Sequence, residues 1–207
     1  MTDFILSVDL GCMGDFTALS VCEIVRPGGP RRELSEEETP KVYHFRHLHR
    51  MKRGTTYPEI VALIARMMDS PELRGRTDLV VDQTGVGLPV VQDLRRVGLN
   101  PKGIVITAGN EAADGADGSC HVPKSYLVSS VQLVMGYGRL KWAARLEHAE
   151  LLEGELRDFQ MRVTATGRET FNAREGANDD LVLSVAMAVW YGENRMREIF
   201  MWVPPGW

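Results

Sequence analysis

The sequence predicts a single α/β domain whose central mixed β-sheet has three antiparallel strands followed by parallel strands, flanked by helices. Three observations support this class. Two apolar segments of strand length, residues 4–11 and 16–24, lie close together; residues 41–50 form a third, more polar segment; and strand-like and helix-like patterns alternate from residue 58 onward. Such alternation is typical of parallel strands joined by right-handed crossovers. At 207 residues and 44% hydrophobic composition, the chain suits one domain, residues 1–207, with one core.

The first three strands are expected to form a meander. The segment FILSVDLG is a continuous apolar run that ends in Asp and Gly, as a buried strand does. FTALSVCEI alternates between apolar and polar residues after a turn, so it should pair with the first strand as a hairpin. A loop rich in Pro, Gly and charge, residues 26–40, then leads to KVYHFRHLHR, a strand at or near an edge of the sheet.

The following segments alternate between helix and strand. Pro58 begins an amphipathic helix that ends near Ser70. Residues 78–85 have the continuous apolar character of a buried strand, and residues 88–98 form a short helix closed by glycine. Residues 103–109 are predicted to be the next strand.

The second half of the chain is predicted to be mainly helical. Residues 109–120 are rich in Gly, Ala and Asp with nothing to bury, so we expect a mobile loop. Helices are predicted over residues 122–135 and 146–159, where leucines recur on one helical face. A strand pair is expected around residues 161–173, and residues 196–207 are expected to be an irregular tail.

Two adjacent acids, Asp179 and Asp180, stand directly before the most apolar segment of the chain, residues 181–191. A helix there is apolar on all sides and must pack inside the protein. With Asn178 as N-cap, both acids would lie in the first turn, where free N–H groups and the helix dipole favour negative charge. On this interpretation the pair only begins the helix, and a catalytic role needs further acids nearby.

Further acids stand at the ends of predicted strands. Asp9 ends the first strand, Asp82 ends a later buried strand, and Asp15 begins the strand that pairs with the first. Strand ends at one edge of an open sheet converge where ligands bind, although each acid alone is also a routine turn residue. Carboxylates gathered in one cleft repel one another unless a cation lies among them, and Mg²⁺ prefers such oxygen ligands. The sequence therefore predicts a metal site at this edge.

Charge outside this group is mildly acidic overall but locally basic. The net charge of −4 gives no indication of a nucleic-acid partner, yet the segment from Lys41 to Arg53 contains five Lys or Arg residues and no acid. Its candidates for contacts with a DNA backbone are Arg46, Arg50, Lys52 and Arg53. A solvated strand face with a charged loop explains the same pattern.

Four segments together resemble the nuclease domain of phage large terminase subunits, and the resemblance covers nearly the whole chain. They are DLGCMGD (9–15), VVDQTGVGLPVVQDLRRVGL (80–99), VPKSYLVSSVQLVMGYGRLK (122–141) and REGANDDLVLSVAMAVW (174–190). The resemblance implies a ribonuclease H-like fold and a metal-dependent endonuclease that cleaves double-stranded, concatemeric viral DNA during genome packaging by a two-metal-ion hydrolysis. The ions would be Mg²⁺ or Mn²⁺.

The resemblance also implies roles for particular residues. Asp9, Asp82 and Asp180 would be the catalytic metal-binding triad, and Asp179 and Asp15 would be auxiliary metal ligands. Lys124, at a helix start within a matching segment, could contact a DNA phosphate, or could be a solvated lysine.

A complete large terminase also has an ATPase motor, and this chain lacks the phosphate-loop motif, since no Gly-Lys pair occurs in it. The motor would be either another part of a longer protein or separately encoded. The partners that the resemblance implies are double-stranded DNA and, in a full packaging machine, this ATPase motor domain, the small terminase subunit and the portal. Three cysteines without a CxxC spacing and an N-terminus unlike a signal peptide predict a reducing compartment, the cytoplasm, with no membrane partner. The resemblance implies that this is the cytoplasm of a bacterial host.

Three alternative functions remain open at this point. A Holliday junction resolvase or a transposase-like nuclease of the same fold would use similar carboxylates. A nucleotide-binding module of the actin and sugar-kinase kind also has a first strand that ends in Asp-x-Gly, although it leaves the Asp179–Asp180 pair unexplained. A catalytically silent structural domain would not respond to cations.

Overall fold

The computed structural model describes residues 3–11, 15–26, 40–166 and 179–194, which form one mixed sheet covered by helices. The strands are β1 (Phe4–Asp9), β2 (Ala18–Val25), β3 (Val42–Arg50), β4 (Thr77–Asp82), β5 (Lys102–Thr107), β6 (Ala113–Asp114), β7 (Cys120–Pro123) and β8 (Leu140–Trp142). The helices are α1 (Tyr57–Met68), α2 (Gly87–Arg96), α3 (Lys124–Gly136), α4 (Ala149–Thr166) and α5 (Asp180–Asn194). Among these helices, none has the length and hydrophobicity needed to cross a bilayer.

The eight strands follow the order β6-β7-β5-β4-β1-β2-β3-β8. Strands β1, β2 and β3 are antiparallel neighbours, whereas β4, β5 and β7 extend the sheet from β1 in parallel. This arrangement confirms the predicted mixed sheet. Because Val8 pairs with Val81 across the β1–β4 ladder, Asp9 and Asp82 end neighbouring parallel strands at the same edge.

The core has two layers, one on each face of the sheet. On one face, α1 and α2 pack through buried aliphatic residues against the alternate side chains of β1 and β4. Helix α1 begins with a Pro in its first turn, and Glu59 accepts the backbone N–H of Thr56 at 2.8 Å, which satisfies one of the helix's free donors. On the other face lie α3, α4 and α5.

Helix α5 is buried from Asp180 to Gly192 because it lies between the sheet and helices α3 and α4. Each large aliphatic side chain that such a helix removes from water contributes roughly 1.5–3 kcal/mol. Close packing at its far end depends on Gly192, where a β-carbon would lie 2.6 Å from the Tyr43 ring. The prediction that this helix packs inside, against the sheet, is confirmed.

Three elements differ from the sequence predictions. The expected mobile loop at residues 109–120 contains the hairpin β6–β7, with Gly115 donating to the Ser119 carbonyl at 2.8 Å. The strand predicted from residue 161 is wrong, because α4 continues as helix to Thr166; the rest of that pair lies outside the described residues. The short strand β8, which pairs in parallel with β3, was not predicted.

The start of α5 also differs. Asp179 was expected in the first turn, but the helix begins at Asp180, and Asp179 precedes it while its carbonyl accepts the N–H of Leu183 at 2.9 Å. Asp179 thus stands at the N-cap position. The proposed N-cap Asn178 and the tail at residues 196–207 lie outside the described residues. Helix α3 begins at Lys124, two residues later than expected, because Val122 and Pro123 belong to β7.

Candidate metal centre

Three nearly buried acids come from three different elements. Asp9 ends β1, Asp82 ends β4 and Asp180 begins α5, with relative exposures of 7%, 8% and 7%. The parallel β1–β4 ladder brings the first two together, and the packing of α5 across the sheet brings the third close to them. The site therefore depends on tertiary structure and on no single local motif.

Asp9 has the most strongly perturbed carboxyl group of the three. Burial raises its pKa well above the ordinary value, and the charges of Asp82, Asp180 and Asp179 raise it further. The contact between the two carboxyl groups raises the pKa of Asp9 and lowers that of Asp82. Burial also raises the pKa of Asp82, although the hydrogen bonds from Thr84 oppose that effect. The two strand ends thus hold more negative charge than this buried place accommodates without a counter-ion.

The turn after β4 orients Asp82. The backbone N–H of Thr84 donates to Asp82 Oδ1 at 2.8 Å, and the Thr84 hydroxyl accepts the N–H of Ile106 at 2.8 Å. Gly85 has a φ of +56°, which favours glycine. This tight turn couples the position of Asp82 to β5 through Thr84.

Asp180 is paired with Arg50, which ends β3. Arg50 Nη2 donates to Asp180 Oδ2 at 2.8 Å, and the two side chains are only 11% and 10% exposed. The guanidinium carbon of Arg50 lies 3.7 Å from the centre of the Phe16 ring, and that of Arg53 lies 4.4 Å from the same centre. Burial raises the pKa of Asp180, and the Arg50 charge opposes that shift. Arg50 is therefore a built-in counter-ion of the site.

The second cation of the site is Lys124, the first residue of α3. Its Nζ lies 3.0 Å from Asp179 Oδ2, and the two side chains are each 20% exposed. The Lys124 charge also lowers the pKa of Asp82, which places it within electrostatic reach of two acids. Asp15 is exposed, and its charge raises the pKa of Asp180. The five acids selected from the sequence thus share one electrostatic neighbourhood.

Glu155 of α4 is a further acid at this place that sequence reasoning missed. Its Oε2 accepts the backbone N–H of Val182 at 3.0 Å, so it caps the first turn of α5 from a neighbouring helix. Burial raises its pKa to about 7, and the charge of Asp180 adds to the shift. An available signal was its spacing, since Leu152, Glu155 and Leu156 share one helical face and both leucines are buried.

The donor set suits a hard divalent cation. Carboxylate oxygens are the ligands that Mg²⁺ and Mn²⁺ prefer, and the raised pKa values of Asp9, Asp82 and Asp180 indicate a deficit of positive charge. Within the described ranges, no three acidic, His or Cys side chains are already arranged as a metal-binding cluster. Arg50 and Lys124 engage Asp180 and Asp179, so these side chains would have to reorient around an ion.

The basic residues predicted to contact DNA are distributed over two places. Arg50 and Lys124 lie against the acids. Arg46 is paired with Glu23 at 2.7 Å, and Lys52 and Arg53 are exposed just after β3 ends. Lys52 and Arg53 therefore lie on the surface next to the acidic site.

A separate groove of about 1140 Å³ lies away from these acids. It is lined at the beginning of β4 and β5 by residues such as Asp78 and Lys102, and by Tyr191 of α5. Because β4 and β5 are parallel, this is the edge opposite to the one where Asp82 lies. The groove is not part of the candidate metal centre.

No protein-family model matches this chain, and no curated protein matches it. Solved structures do. The large terminase nuclease from thermophilic phage G20c with bound magnesium is 22% identical, with 90% of this chain and 79% of that chain covered and a TM-score of 0.58. Two further structures of that nuclease, one of them with bound zinc, are each 20% identical and cover 92% of this chain. They cover 81% and 80% of the other chain, with TM-scores of 0.55 and 0.53. This likeness confirms the ribonuclease H-like fold predicted from the sequence.

Proposed function

We propose that this chain is a divalent-metal-dependent endonuclease that cleaves double-stranded DNA. The observation that carries the proposal is the convergence of three nearly buried acids, Asp9, Asp82 and Asp180, from separate elements at one edge of the sheet. The shared fold with a large terminase nuclease agrees with it. A purely capping role explains Asp179 and Asp180 but does not explain why Asp9 and Asp82 lie beside them.

In this proposal Asp9, Asp82 and Asp180 hold Mg²⁺ or Mn²⁺, and Asp179 and Asp15 are auxiliary ligands. When bound, two such ions supply an activated water and stabilise the leaving oxygen of a phosphodiester. The N–H of Thr84 fixes the orientation of Asp82, whereas Asp180 has to exchange Arg50 for the ion.

Contacts with DNA come from basic residues around the acids. Lys52 and Arg53 are exposed beside the site, and Arg46 lies further along β3. Lys124 Nζ lies 3.0 Å from Asp179 and within electrostatic reach of Asp82, so in this proposal its ammonium contacts a phosphate that reaches the ions. Binding through phosphates carries a strong salt dependence and little sequence selectivity.

The biological setting we propose is the packaging of concatemeric viral DNA. A packaging nuclease acts with an ATPase motor, a small terminase subunit and a portal, and the absence of a phosphate-loop motif in this chain means that another polypeptide segment supplies the motor activity. The shared fold with the G20c terminase nuclease supports this setting.

The test is plasmid digestion with Mg²⁺, Mn²⁺ or EDTA, in the wild type and in the variants Asp9→Asn and Asp82→Asn. We expect linear products with either metal, none with EDTA, and a loss of at least about a hundredfold in each variant. Asp158→Asn is the matched control, because Asp158 is exposed on α4. Retained cleavage by both site variants would remove these acids from the mechanism. Preference for a four-way junction over linear duplex would favour a resolvase, and ATP binding without cleavage would favour a nucleotide-binding module.

A further inference from the structure

Arg50 and Glu155 each have a buried polar atom without a partner. Among the described residues, Arg50 Nε and Glu155 Oε1 have no hydrogen-bond partner. The first is a donor on a charged group and the second is an acceptor, so each could satisfy the other. Buried polar atoms are rarely left in this condition, and a complementary pair in one region suggests an alternative arrangement of the two side chains.

The other atoms of both side chains are bound at the start of α5. Arg50 Nη2 donates to Asp180, the first residue of the helix, and Glu155 Oε2 accepts the N–H of Val182 two residues later. The Arg50 charge acts on Glu155 and lowers the pKa of its carboxyl against the effect of burial. Arg50 therefore lies within electrostatic reach of two carboxylates on different helices, but donates a hydrogen bond to only one of them.

Entry of a divalent cation changes which partner is favourable. An ion bound by Asp180 competes with Arg50 for the same carboxylate and repels the guanidinium. A guanidinium that is 11% exposed cannot simply lose its carboxylate, because an unpaired buried charge is strongly destabilising. The Phe16 ring, 3.7 Å from the guanidinium carbon, stabilises the cation in more than one orientation, since attraction to a ring face does not require one fixed hydrogen-bond direction.

We propose that Arg50 is a transferable counter-ion, paired with Asp180 in the metal-free chain and transferred to Glu155 when divalent ions bind at Asp180. This inference rests on the proposed metal site and assigns Arg50 and Glu155 as positioning residues of that site. Glu155 then has two functions: Oε2 caps α5, and Oε1 receives the guanidinium released from Asp180. Binding of metal becomes coupled to the contact between β3, α4 and α5.

The test is a double-mutant cycle on Mn²⁺ affinity, measured by calorimetry and by the electron paramagnetic resonance signal of free Mn²⁺. Glu155→Gln keeps an acceptor for the Val182 N–H but removes the carboxylate that receives Arg50, so we expect affinity to fall about tenfold. In an Arg50→Met background the same change should alter affinity less than about twofold, because no guanidinium needs a new partner. Equal effects of Glu155→Gln in both backgrounds would overturn the transfer.

Two controls separate the transfer from simpler explanations. Glu150→Gln removes an equal charge from an exposed position of the same helix and should leave Mn²⁺ affinity within about twofold of the wild type. If Arg50→Met does not fold, nuclear magnetic resonance of the Arg50 Nε–H replaces the cycle. We expect Mg²⁺ to shift this resonance as Nε gains an acceptor in the wild type, and not in Glu155→Gln. An unchanged resonance in a chain shown to bind Mg²⁺ would overturn the transfer alone, whereas a wild type that binds neither ion at millimolar concentration would overturn the proposed function as well.

Discussion

Gly87 lies directly against the backbone carbonyl of Asp82: a β-carbon at position 87 would be 2.1 Å from that oxygen and 2.9 Å from its carbon. The start of α2 is thereby packed onto the last residue of β4. Because this contact is between main-chain atoms, a larger residue cannot be accommodated by turning a flexible side chain.

Gly87→Ala should therefore destabilise the domain and disturb Asp82. We expect the free energy of unfolding to fall by about 2 kcal/mol from overpacking, and DNA cleavage to fall with it. Chemical denaturation and plasmid digestion measure the two effects. Gly154→Ala is the control, because a β-carbon there meets nothing within 4 Å and alanine favours a helix. Equal stability of the two variants would contradict the close approach of Gly87 to the Asp82 carbonyl.

Asp9→Asn should stabilise the metal-free domain and remove its stabilisation by metal. Asparagine removes a buried negative charge from among other acids and can still donate a hydrogen bond to Asp82. We expect the metal-free variant to melt about 3 °C higher than the wild type, the shift that ~1 kcal/mol produces in a domain of this size. Millimolar Mn²⁺ should raise the melting temperature of the wild type and not that of the variant. Thermal denaturation with EDTA and with Mn²⁺ tests both expectations. A variant that melts below the wild type without metal would show that the Asp9 carboxyl does not destabilise the metal-free domain.

Glu155 should make stability depend on pH in an unusual direction. Its pKa is about 7 in the folded chain against an ordinary value of 4.5, so between these pH values the folded chain binds more protons than the unfolded chain. Its contribution therefore lowers stability as the pH rises through this window. Glu155→Gln should melt higher than the wild type at pH 8 and at nearly the same temperature at pH 4.5. A difference that is independent of pH would show that the carboxyl does not titrate in this window.

The far end of α5 is held by the half-buried carboxylate of Glu193, whose loss should be costly. Glu193 Oε1 accepts the Tyr43 hydroxyl at 2.7 Å and Arg139 Nη1 at 2.9 Å. Glu193→Ala removes the acceptor of the Tyr43 hydroxyl and leaves Arg139 with the Lys41 carbonyl, so the free energy of unfolding should fall by about 2 kcal/mol. Removing Glu23, whose partner Arg46 is 54% exposed, should cost only ~0.5 kcal/mol. Urea denaturation of both variants tests the contrast, and similar losses would contradict it.

The elements that the sequence predicted well are those with a strong apolar pattern. Strands β1, β2 and β4 and helices α1 and α5 all bury continuous or periodic apolar residues, which is the signal that such reasoning reads. The hairpin β6–β7 was missed because β6 is exposed and two residues long. The end of α4 was misjudged because Val163, Thr164 and Thr166 favour strands locally, whereas the helix continues from a well-packed beginning.

The candidate site also has a part that the sequence predicts and a part that depends on tertiary packing. Acids at the ends of apolar strands could be selected from the sequence, since the direction of parallel strands decides where they meet. The partner of Arg50 could not be predicted from the sequence, because Asp180 lies 130 positions away and the contact of the two residues depends on how α5 crosses the sheet. The spacing of Glu155 with Leu152 and Leu156 indicates a buried helical face, but its contact with the N–H of Val182 depends on how α4 packs on α5.

The late position of α5 has a consequence for how this chain is made. The sheet face that α5 covers is built from β1, β2 and β3, which leave the ribosome long before residues 180–194 do. At 5–20 residues per second, synthesis from the end of β3 at Arg50 to the end of α5 at Asn194 takes roughly 7–30 s. For most of that time an apolar sheet surface has no cover, so the nascent chain should depend on chaperones until its last described helix emerges and docks.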